Sequence, residues 1–228
     1  RKSALMLRSV FNAPVSYQTV LNYAEAASYY CHRFNLAFKG PIDDLSAGDE
    51  TYIKINGKHA YTFLFISSQN HAITAYHVAD NRGTVPALAA IKEAIRTATP
   101  DQSLGIVTDD NPSYAAAILY LNTLPDKHPA ITHHKVIGLQ NLDEQSTEFR
   151  PFKQLIERLN RTYKQHIRPS HGFNSPNGAV ALTTLFVTHY NFLRPHMALN
   201  YQPPIQLPAL DSITTMQGKW TKILSLAA

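Results

Sequence analysis

The stretch that decides the fold is DETYIKINGKHAYTFLFISSQNHAITAYHVA, residues 49–79. Its first segment alternates apolar and polar residues, and two further β-rich segments follow after short turns at GKH and QN. Such short connections predict an antiparallel meander of three strands. Downstream, the sequence predicts in turn a helix at 85–98, a strand in SLGIVTD, a helix in SYAAAILYLNTL and a strand in HHKVIGL. Strands followed by alternating helices and strands predict an α/β fold, a mixed sheet with helices packed on it.

Composition restricts the classes of protein to which the chain can belong. Its 228 residues include 21 Lys and Arg against 16 Asp and Glu, a net charge of +5 that favours a polyanionic partner. The single cysteine, Cys31, excludes a disulfide framework and a Cys-rich zinc site within this chain. No apolar run approaches the roughly 20 residues that cross a bilayer. We therefore expect a cytoplasmic protein with no membrane partner.

The N-terminal part predicts two helices, KSALMLRSVF and a longer one that opens at Ser16, separated by a break at NAP. This pattern suits a helix-turn-helix, in which the exposed side of the second helix would bind DNA through Tyr17, Gln18, Thr19 and Asn22. An ordinary helical hairpin explains these residues equally well. Because the sequence begins at Arg1 rather than Met, we expect this segment to be incomplete. The next segment, NLAFKGPIDDLSAG, reads as a linker.

Two aspartates lie at strand ends, where α/β sheets gather ligand and metal sites. Asp109 ends a predicted strand in IVTDDNPSY, residues 106–114, and Asp49 heads the first strand of the meander. Successive strand residues face opposite ways, so Asp110 should point away from the face that Asp109 shares. Asp-Asn-Pro is also good turn and helix-capping chemistry, which leaves a purely structural explanation for this pair open.

A third carboxylate lies on a basic helix, FKQLIERLNRTYKQHIR, residues 152–168. Apolar residues recur there at steps of three and four, a stripe that must pack on the sheet. Glu157, Asn160 and Lys164 form a neighbouring row. The segment is crowded with cations: Arg150, Lys153, Arg158, Arg161, Lys164 and Arg168. The helix is either a solvated, salt-bridged surface or a phosphate-binding face that carries one metal-ligand carboxylate.

Clustering Asp49, Asp109 and Glu157 would raise the pKa of each carboxyl unless a cation held them together. Magnesium is the expected cation, because it is hard and prefers oxygen ligands. Two such ions about 3.5 to 4 Å apart can activate an attacking oxygen and stabilise a leaving one. The cluster therefore suggests metal-dependent phosphoryl transfer, with Asp110 as a bystander or a loop cap.

Five fragments in this order resemble bacterial insertion-sequence transposases with an integrase-like, ribonuclease H-fold DDE catalytic core. They are GDETYIKINGK, TDDNPSY, IERLNRTYK, RPSHGFNS and HYNFLRPHMALNYQPP, and the likeness runs from about Asp49 to Pro204. The resemblance implies that a helix-turn-helix segment (1–38) and a linker (39–48) precede a catalytic domain (49–200) and a C-terminal tail (201–228). It also implies a ribonuclease H-like five-stranded sheet.

The same resemblance implies an activity. Asp49, Asp109 and Glu157 would be the metal-binding catalytic triad for two Mg²⁺ ions, with Mn²⁺ as a substitute. Similar enzymes hydrolyse a phosphodiester at the element's end and use the 3′-hydroxyl to attack target DNA. The DNA contacts would come from the active-site helix and the region after it: Asn160, Arg161, Lys164, Arg168 and Arg194. We expect a homodimer or higher oligomer that joins two transposon ends in a synaptic complex, at the bacterial nucleoid.

One spacing departs from the family. The second and third acids are commonly separated by about 34 or 35 residues, whereas 47 lie between Asp109 and Glu157. Glu144 has the usual spacing. We favour Glu157, because Glu144 lies in QNLDEQSTEFR, an aperiodic segment without the apolar stripe or the following Asn and Lys. That segment is expected to be an inserted loop.

Two other motifs have less specific explanations. In HYNFLRPH, Tyr190, Arg194 and His196 could bind DNA; we favour helix packing for Tyr190 and leave Arg194 open between DNA and a helix C-cap. His133 and His134 are expected to be surface histidines. Two alternatives to a transposase remain: a structure-specific nuclease of the same fold, and a non-catalytic DNA-binding protein derived from a transposase.

Overall fold

The computed structural model describes residues 1–124, 129–137 and 144–228. Its centre is one sheet of five strands: β1 (Leu45–Ile55), β2 (Lys58–Ser67), β3 (Ile73–Ala79), β4 (Leu104–Thr108) and β5 (Ile131–Lys135). The spatial order is β3-β2-β1-β4-β5, in which β1 to β3 are antiparallel while β4 and β5 run parallel to β1. The predicted mixed five-stranded sheet is confirmed.

Helices surround the sheet in the described residues: α1 (Lys2–Phe11), α2 (Tyr17–Ala37), α3 (Thr84–Ala94), α4 (Pro112–Asn122), α5 (Glu144–Ile167), α6 (Pro176–Phe192), α7 (Pro208–Asp211) and α8 (Met216–Ala227). Helices α3 and α4 pack on one face through a core that includes Phe63, Ile91 and Tyr114. Helices α5 and α6 pack on the other through Leu64, Ile156 and others. Because both faces are covered, the centre of β2 reads as a continuous apolar run rather than an alternating one.

The hairpin between β1 and β2 is tighter than the predicted GKH turn. Its two loop residues are Asn56 and Gly57, both with positive φ (51° and 75°), whereas Lys58 and His59 already belong to β2. Asn-Gly suits a two-residue hairpin turn because both residues reach positive φ at low cost. The turn fixes the register that places Asp49 opposite Leu64.

The predicted linker is largely part of the fold. Leu45 to Gly48 form the start of β1, where Ala47 pairs with Val107 of β4. Gly48 is required by packing rather than by flexibility, since a Cβ there would lie 2.3 Å from the Phe65 ring. Upstream, the Lys39 ammonium bonds the Glu93 backbone carbonyl of α3. The expectation of a loose linker is therefore wrong for its last four residues.

The end of the predicted C-terminal tail (201–228) is a helix that packs on the fold. Helix α8 buries Ile223 and Ala227 against Phe34 of α2 and Phe192 of α6. Apolar residues at helical spacing after the Pro-rich stretch form the face that makes this contact. The C-terminal half of α2 is thus held between α6 and α8, while the domain boundaries 1–38, 39–48, 49–200 and 201–228 remain predictions.

The edge strand β3 is protected by a side chain that imitates a strand. Asn191 of α6 accepts from the Ile73 backbone N–H (2.8 Å) and donates to the Ile73 carbonyl (2.9 Å). Tyr76 on the same strand bonds His32 of α2. The two Asn191 bonds satisfy backbone groups of Ile73 that an open edge would leave available for pairing with another chain.

Helix α5 is longer than predicted. The described part of the expected loop, residues 144–150, is helical. This helix continues through Pro151 into the predicted helix without a break. Ser146 is buried, so this first part packs against the protein although it lacks a clear apolar period. Residues 140–143 of the expected loop lie outside the described residues.

The segment after α5 returns to the sheet. Phe173 exchanges two backbone hydrogen bonds with the end of β1, donating to the Lys54 carbonyl (2.7 Å) and accepting from Asn56 N–H (2.8 Å). Gly172 has φ of +108°, and a Cβ there would lie 3.1 Å from the Lys54 Cβ. The RPSHGFNS motif therefore connects the basic helix α5 to the end of β1, and these two hydrogen bonds form a brace between them.

Candidate active site

Asp49 and Asp109 are brought together by the parallel register of β1 and β4. Ser46 pairs with Ile106 and Ala47 with Val107, so the same offset places Asp49 beside Asp109 at the point where β4 has ended. Both side chains leave the sheet on the face covered by α5, because residues two apart on a strand point the same way. Ligand atoms of Asp49, Glu50 and Asp109 all lie within 4.8 Å of one another.

Glu50 is the member of this group that the sequence reasoning missed. Its side chain is 5% exposed and turns to the α4 side, where it accepts from Tyr114 Oη (2.7 Å) and Asn111 Nδ2 (2.9 Å). The Arg82 guanidinium lies 3.7 Å away. Its adjacency to Asp49 in sequence was the available signal, but strand alternation argued for the opposite face.

Asn111 links Glu50 to the loop that carries Asp109. The Asn111 backbone N–H donates to Asp109 Oδ1 (3.0 Å), and its side-chain oxygen caps α4 by accepting from Ser113 N–H. Asp109 is therefore oriented by the start of α4. Asp110 points to solvent and lies 3.4 Å from Lys135. Its exclusion from the acidic group agrees with its expected role as a bystander.

The pKa of the Asp49 carboxyl is raised by its surroundings in the fold. Burial raises its pKa to about 6, Lys153 opposes this shift, and the charges of Asp109 and Glu50 add to it. The shift shows that ionised Asp49 is costly in the protein without a metal ion. Such clusters are typical of cation sites.

Helix α5 presents one row of side chains to Asp49. Lys153 Nζ lies 3.3 Å from Asp49 Oδ1, and Asn160 Nδ2 donates to Oδ2 at 3.0 Å. Residues 153, 157, 160 and 164 lie on one helical face, because steps of three and four return to the same side. Glu157 therefore lies on the row between two residues that touch Asp49.

The carboxylate of Glu157 itself is exposed and does not join the group of Asp49, Glu50 and Asp109, the one such group found among the described residues. The structure thus brings together two of the three predicted catalytic acids and places the helix position of the third beside them. Glu144 is the first residue of α5, and its side chain lies outside the described residues.

The donor set fits a hard divalent cation. Carboxylate oxygens from Asp49 and Asp109 lie close together, and Mg²⁺ prefers oxygen ligands of this kind. Asn160 Oδ1 is buried and has no hydrogen-bond partner among the described residues, so the residue that contacts Asp49 through Nδ2 keeps a polar acceptor unpaired. Lys153 already places one positive charge on the cluster.

The predicted DNA-binding residues of α5, together with Arg168 directly after it, divide into two kinds. Arg161, Lys164 and Arg168 are exposed, and none makes an ion pair with a described acidic side chain. Asn160 is 8% exposed and bonded to Asp49, so a direct contact with DNA does not fit its position. Its place on the active-site face agrees with expectation; the contact with Asp49 could only be seen in the fold.

The N-terminal candidates lie on exposed helical surface. Ser16 caps α2 by accepting from Thr19 N–H, as predicted. Tyr17, Gln18 and Asn22 are exposed, and Thr19 is partly buried. The two helices and the break between them are present, but their role in DNA binding remains a prediction.

The HYNFLRPH motif is mainly structural. Tyr190 is 6% exposed in the core beneath α6, which confirms the packing prediction. Burial raises the pKa of Tyr190 to about 12. Arg194 stacks over the Tyr190 ring (5.5 Å), and its backbone N–H caps α6 at His189. His196 also contacts Tyr190, with ring centroids 4.5 Å apart.

His133 and His134 are not surface histidines. Both lie within β5, and both are partly buried. Thr108 Oγ1 lies 2.8 Å from His133 Nε2 at the end of β4, and burial lowers the His133 pKa to about 4. His134 stacks on Phe149 of α5 (3.9 Å between centroids). The prediction failed because the groups that cover the two rings, Thr108 of β4 and Phe149 of α5, lie far from them in sequence.

Comparison with known proteins identifies this arrangement. Residues 46–175 match a family model described as a DDE domain, of the IS240 transposase type, and residues 150–204 match an integrase core domain. A search of curated proteins returned no significant match. Within the described residues, no helix has the length and hydrophobicity to cross a membrane.

Two solved structures share the fold at low sequence identity. One is the intasome of simian T-cell lymphotropic virus in complex with the PP2A regulatory subunit B56 gamma (TM-score 0.51, 16% identity, 73% of this chain). The other is the HTLV-2 integrase catalytic core domain in complex with magnesium in its trimeric form (TM-score 0.50, 16% identity, covering 72% of this chain and 95% of that one). This chain spans 54% of the matched intasome chain. The sheet is therefore of the ribonuclease H-like integrase type.

The DDE-domain match covers more than half of the sequence and includes both strand-borne aspartates and Glu157. The chain belongs to the DDE-domain family of IS240-type transposases.

Proposed function

We propose that the protein is a DDE-type transposase, which hydrolyses a phosphodiester at the end of a DNA element and joins the freed 3′-hydroxyl to target DNA. The observation that carries this proposal is the contact between Asp49 and the helix row that bears Glu157, beside Asp109. In this proposal, carboxylates from β1, β4 and α5 converge on one site.

In this proposal, Asp49, Asp109 and Glu157 are the metal ligands for two Mg²⁺ ions, with Mn²⁺ as a substitute. Bound divalent ions would activate the attacking oxygen and stabilise the leaving one. Asn160 would orient Asp49 through its hydrogen bond to Oδ2. Asn111 would hold Asp109 in the same way through its backbone N–H.

The DNA backbone would lie along the exposed cations Arg161 and Lys164 of α5 and Arg168, which directly follows this helix. Their spacing of three and four residues keeps them on the side of the helix that continues from Glu157. Contacts of this kind are largely independent of sequence and weaken with salt. Sequence recognition of the ends would come from Tyr17, Gln18, Thr19 and Asn22, and Arg194 would add a contact near the end of α6.

Joining two ends requires at least two active sites, so we propose a homodimer or higher oligomer in the synaptic complex with transposon ends and target DNA. The similar HTLV-2 integrase core is described in a trimeric form. The site of action would be the bacterial nucleoid, in the cytoplasm.

A strand-transfer assay with labelled element ends and Mg²⁺ tests the proposal. We expect Glu157→Gln to lower strand transfer at least about a hundredfold, as other losses of transition-state charge stabilisation do. Glu144→Gln should retain activity, because that position precedes the row that contacts Asp49. Asp110→Asn is the matched control beside Asp109.

Three outcomes would contradict the proposal. Hydrolysis without joined product would identify a structure-specific nuclease of the same fold. Retained activity in Glu157→Gln together with loss in Glu144→Gln would transfer the third ligand to the other acid. DNA binding with no metal-dependent chemistry in the wild-type protein would identify a non-catalytic relative.

A further inference from the structure

Both carboxylate oxygens of Asp49 are engaged by α5. Lys153 Nζ lies 3.3 Å from Oδ1, and Asn160 Nδ2 donates to Oδ2 at 3.0 Å. The ion pair is largely withdrawn from solvent, with side-chain exposures of 12% for Lys153 and 15% for Asp49. Within the part of the chain that the structure describes, Lys153 is the only cation within ion-pair distance of Asp49. This contact differs from the exposed pair of Asp110 and Lys135 nearby.

The two residues that contact Asp49 flank Glu157 on its helical row. Residues 153 and 160 are separated by about 10 Å along the helix axis. Asn160 contacts Asp49 Oδ2 and the longer Lys153 side chain contacts Oδ1, so the two contacts come from either side of residue 157 in the row. Glu157 is exposed in this arrangement.

The other two acids of the group, Glu50 and Asp109, have hydrogen-bond or ion-pair partners other than Lys153. Glu50 has its own donors in Tyr114 and Asn111 and a cation in Arg82. Asp109 receives a backbone N–H. The charge on Asp49 is the one that Lys153 balances in the described structure.

We propose that Lys153 is an internal counter-cation that occupies the metal position on Asp49, and that a divalent ion must displace it before Glu157 can join Asp49 and Asp109. This inference rests on the proposed function, since it takes Asp49 as a metal ligand. Lys153 is then a positioning residue of the metal-free state. Its release moves a positive charge to the exposed face of α5, beside Arg158 and Arg161.

Binding of Mn²⁺ to the DNA-free protein, measured by electron paramagnetic resonance, tests the displacement. Lys153→Met keeps most of the side-chain length and removes the charge. We expect it to bind Mn²⁺ roughly tenfold more tightly than the wild type, the scale of losing one close, partly buried opposing cation. Lys92→Met, an exposed lysine on α3, is the matched control and should bind as the wild type does. Equal or weaker binding by Lys153→Met would overturn the inference.

A second measurement needs no substitution. Acylation of lysine amines in the wild type, followed by mass spectrometry, should show Lys153 reacting faster as Mn²⁺ is added. Lys39, whose side chain is 7% exposed in its pair with Glu93, is the internal reference and should not change. An unchanged or slower reaction of Lys153 in metal-loaded protein would contradict displacement.

The double variant Asp49→Asn, Asp109→Asn distinguishes a failure of the proposed function from a failure of the Lys153 inference alone. If it binds Mn²⁺ as tightly as the wild type, these acids are not the metal site, and the proposed function fails together with the inference. If binding is lost in the double variant but Lys153→Met has no effect, only the inference fails.

Discussion

Replacing Asp49 by Asn should stabilise the metal-free protein while abolishing its proposed chemistry. Burial and the neighbouring acids raise the pKa of Asp49 from 3.8 to about 6. A difference of about 2 pKa units, at 1.36 kcal/mol each, corresponds to about 3 kcal/mol of destabilisation when the group is ionised. Asn resembles the protonated carboxyl in size and charge. The free energy of unfolding at pH 7.5 should therefore rise by up to about 3 kcal/mol in Asp49→Asn.

The pH dependence has a definite sign. Because the folded-state pKa lies above the unfolded-state value, the folded protein binds more protons than the unfolded chain between pH 4 and 6. The contribution of Asp49 to stability is therefore most favourable below about pH 4 and is lost as pH rises through about 6. The advantage of Asp49→Asn should grow over this interval and then remain constant.

Urea unfolding in EDTA, followed by circular dichroism from pH 4 to 8, measures both effects. Asp110→Asn is the matched control, because its carboxylate is 60% exposed and its ion pair with Lys135 is also open to solvent. We expect that variant to change stability by no more than about 0.5 kcal/mol. An Asp49→Asn protein that is no more stable than wild type at pH 7.5, or whose advantage is the same at pH 4 and pH 7.5, would refute the reasoning.

Three further substitutions test the supports of the site, each by urea unfolding. Gly172→Ala should cost about 1–3 kcal/mol, because φ is +108° and the new Cβ would lie 3.1 Å from the Lys54 Cβ; an unchanged midpoint would show that the brace to β1 is not strained. Tyr163→Phe removes a fully buried hydroxyl that bonds two threonine hydroxyls, at 2.7 and 3.1 Å, and should cost about 1–3 kcal/mol; no loss would mean that the threonines satisfy each other. Tyr114→Phe removes a donor, at 2.7 Å, from the buried carboxylate of Glu50 and should cost about 1.5–3 kcal/mol; a stability within about 0.5 kcal/mol of wild type would contradict that role.

The local pattern of apolar and polar residues was sufficient to predict the central strands and the basic helix. Alternation in residues 49–55 and the apolar run of β2 predicted the meander, and the stripe on residues 152–167 predicted the basic helix. These features depend on residues near one another in sequence, so the spacing of the apolar residues indicates whether the local backbone is a strand or a helix. Asp109 followed from the same logic, because it comes directly after the last residue of β4. The position of Asp49 did not: it was expected to head the first strand, but β1 begins at Leu45 and Asp49 is its fifth residue.

Features that depend on residues far apart in the chain could not be predicted from the local sequence pattern. The burial of Ile223 against Phe34, the loss of the expected loop at 144–150 and the strand at Leu45 to Gly48 each need a partner surface far along the chain. A surface-like sequence becomes structured when another element covers it. Local propensity is then overridden by packing.

The sequence by itself determined which residues could supply the chemistry: Asp49, Asp109 and Glu157, with a basic helix beside them. Only the tertiary structure decided how they are held. It placed Asn160 and Lys153 on Asp49 and drew Glu50 to the α4 side, with Glu157 exposed on the row between the two α5 residues. The physical reason is that a side chain's partner is set by the register of β1 against β4 and by the rotation of α5 over the sheet, and both depend on contacts far apart in sequence.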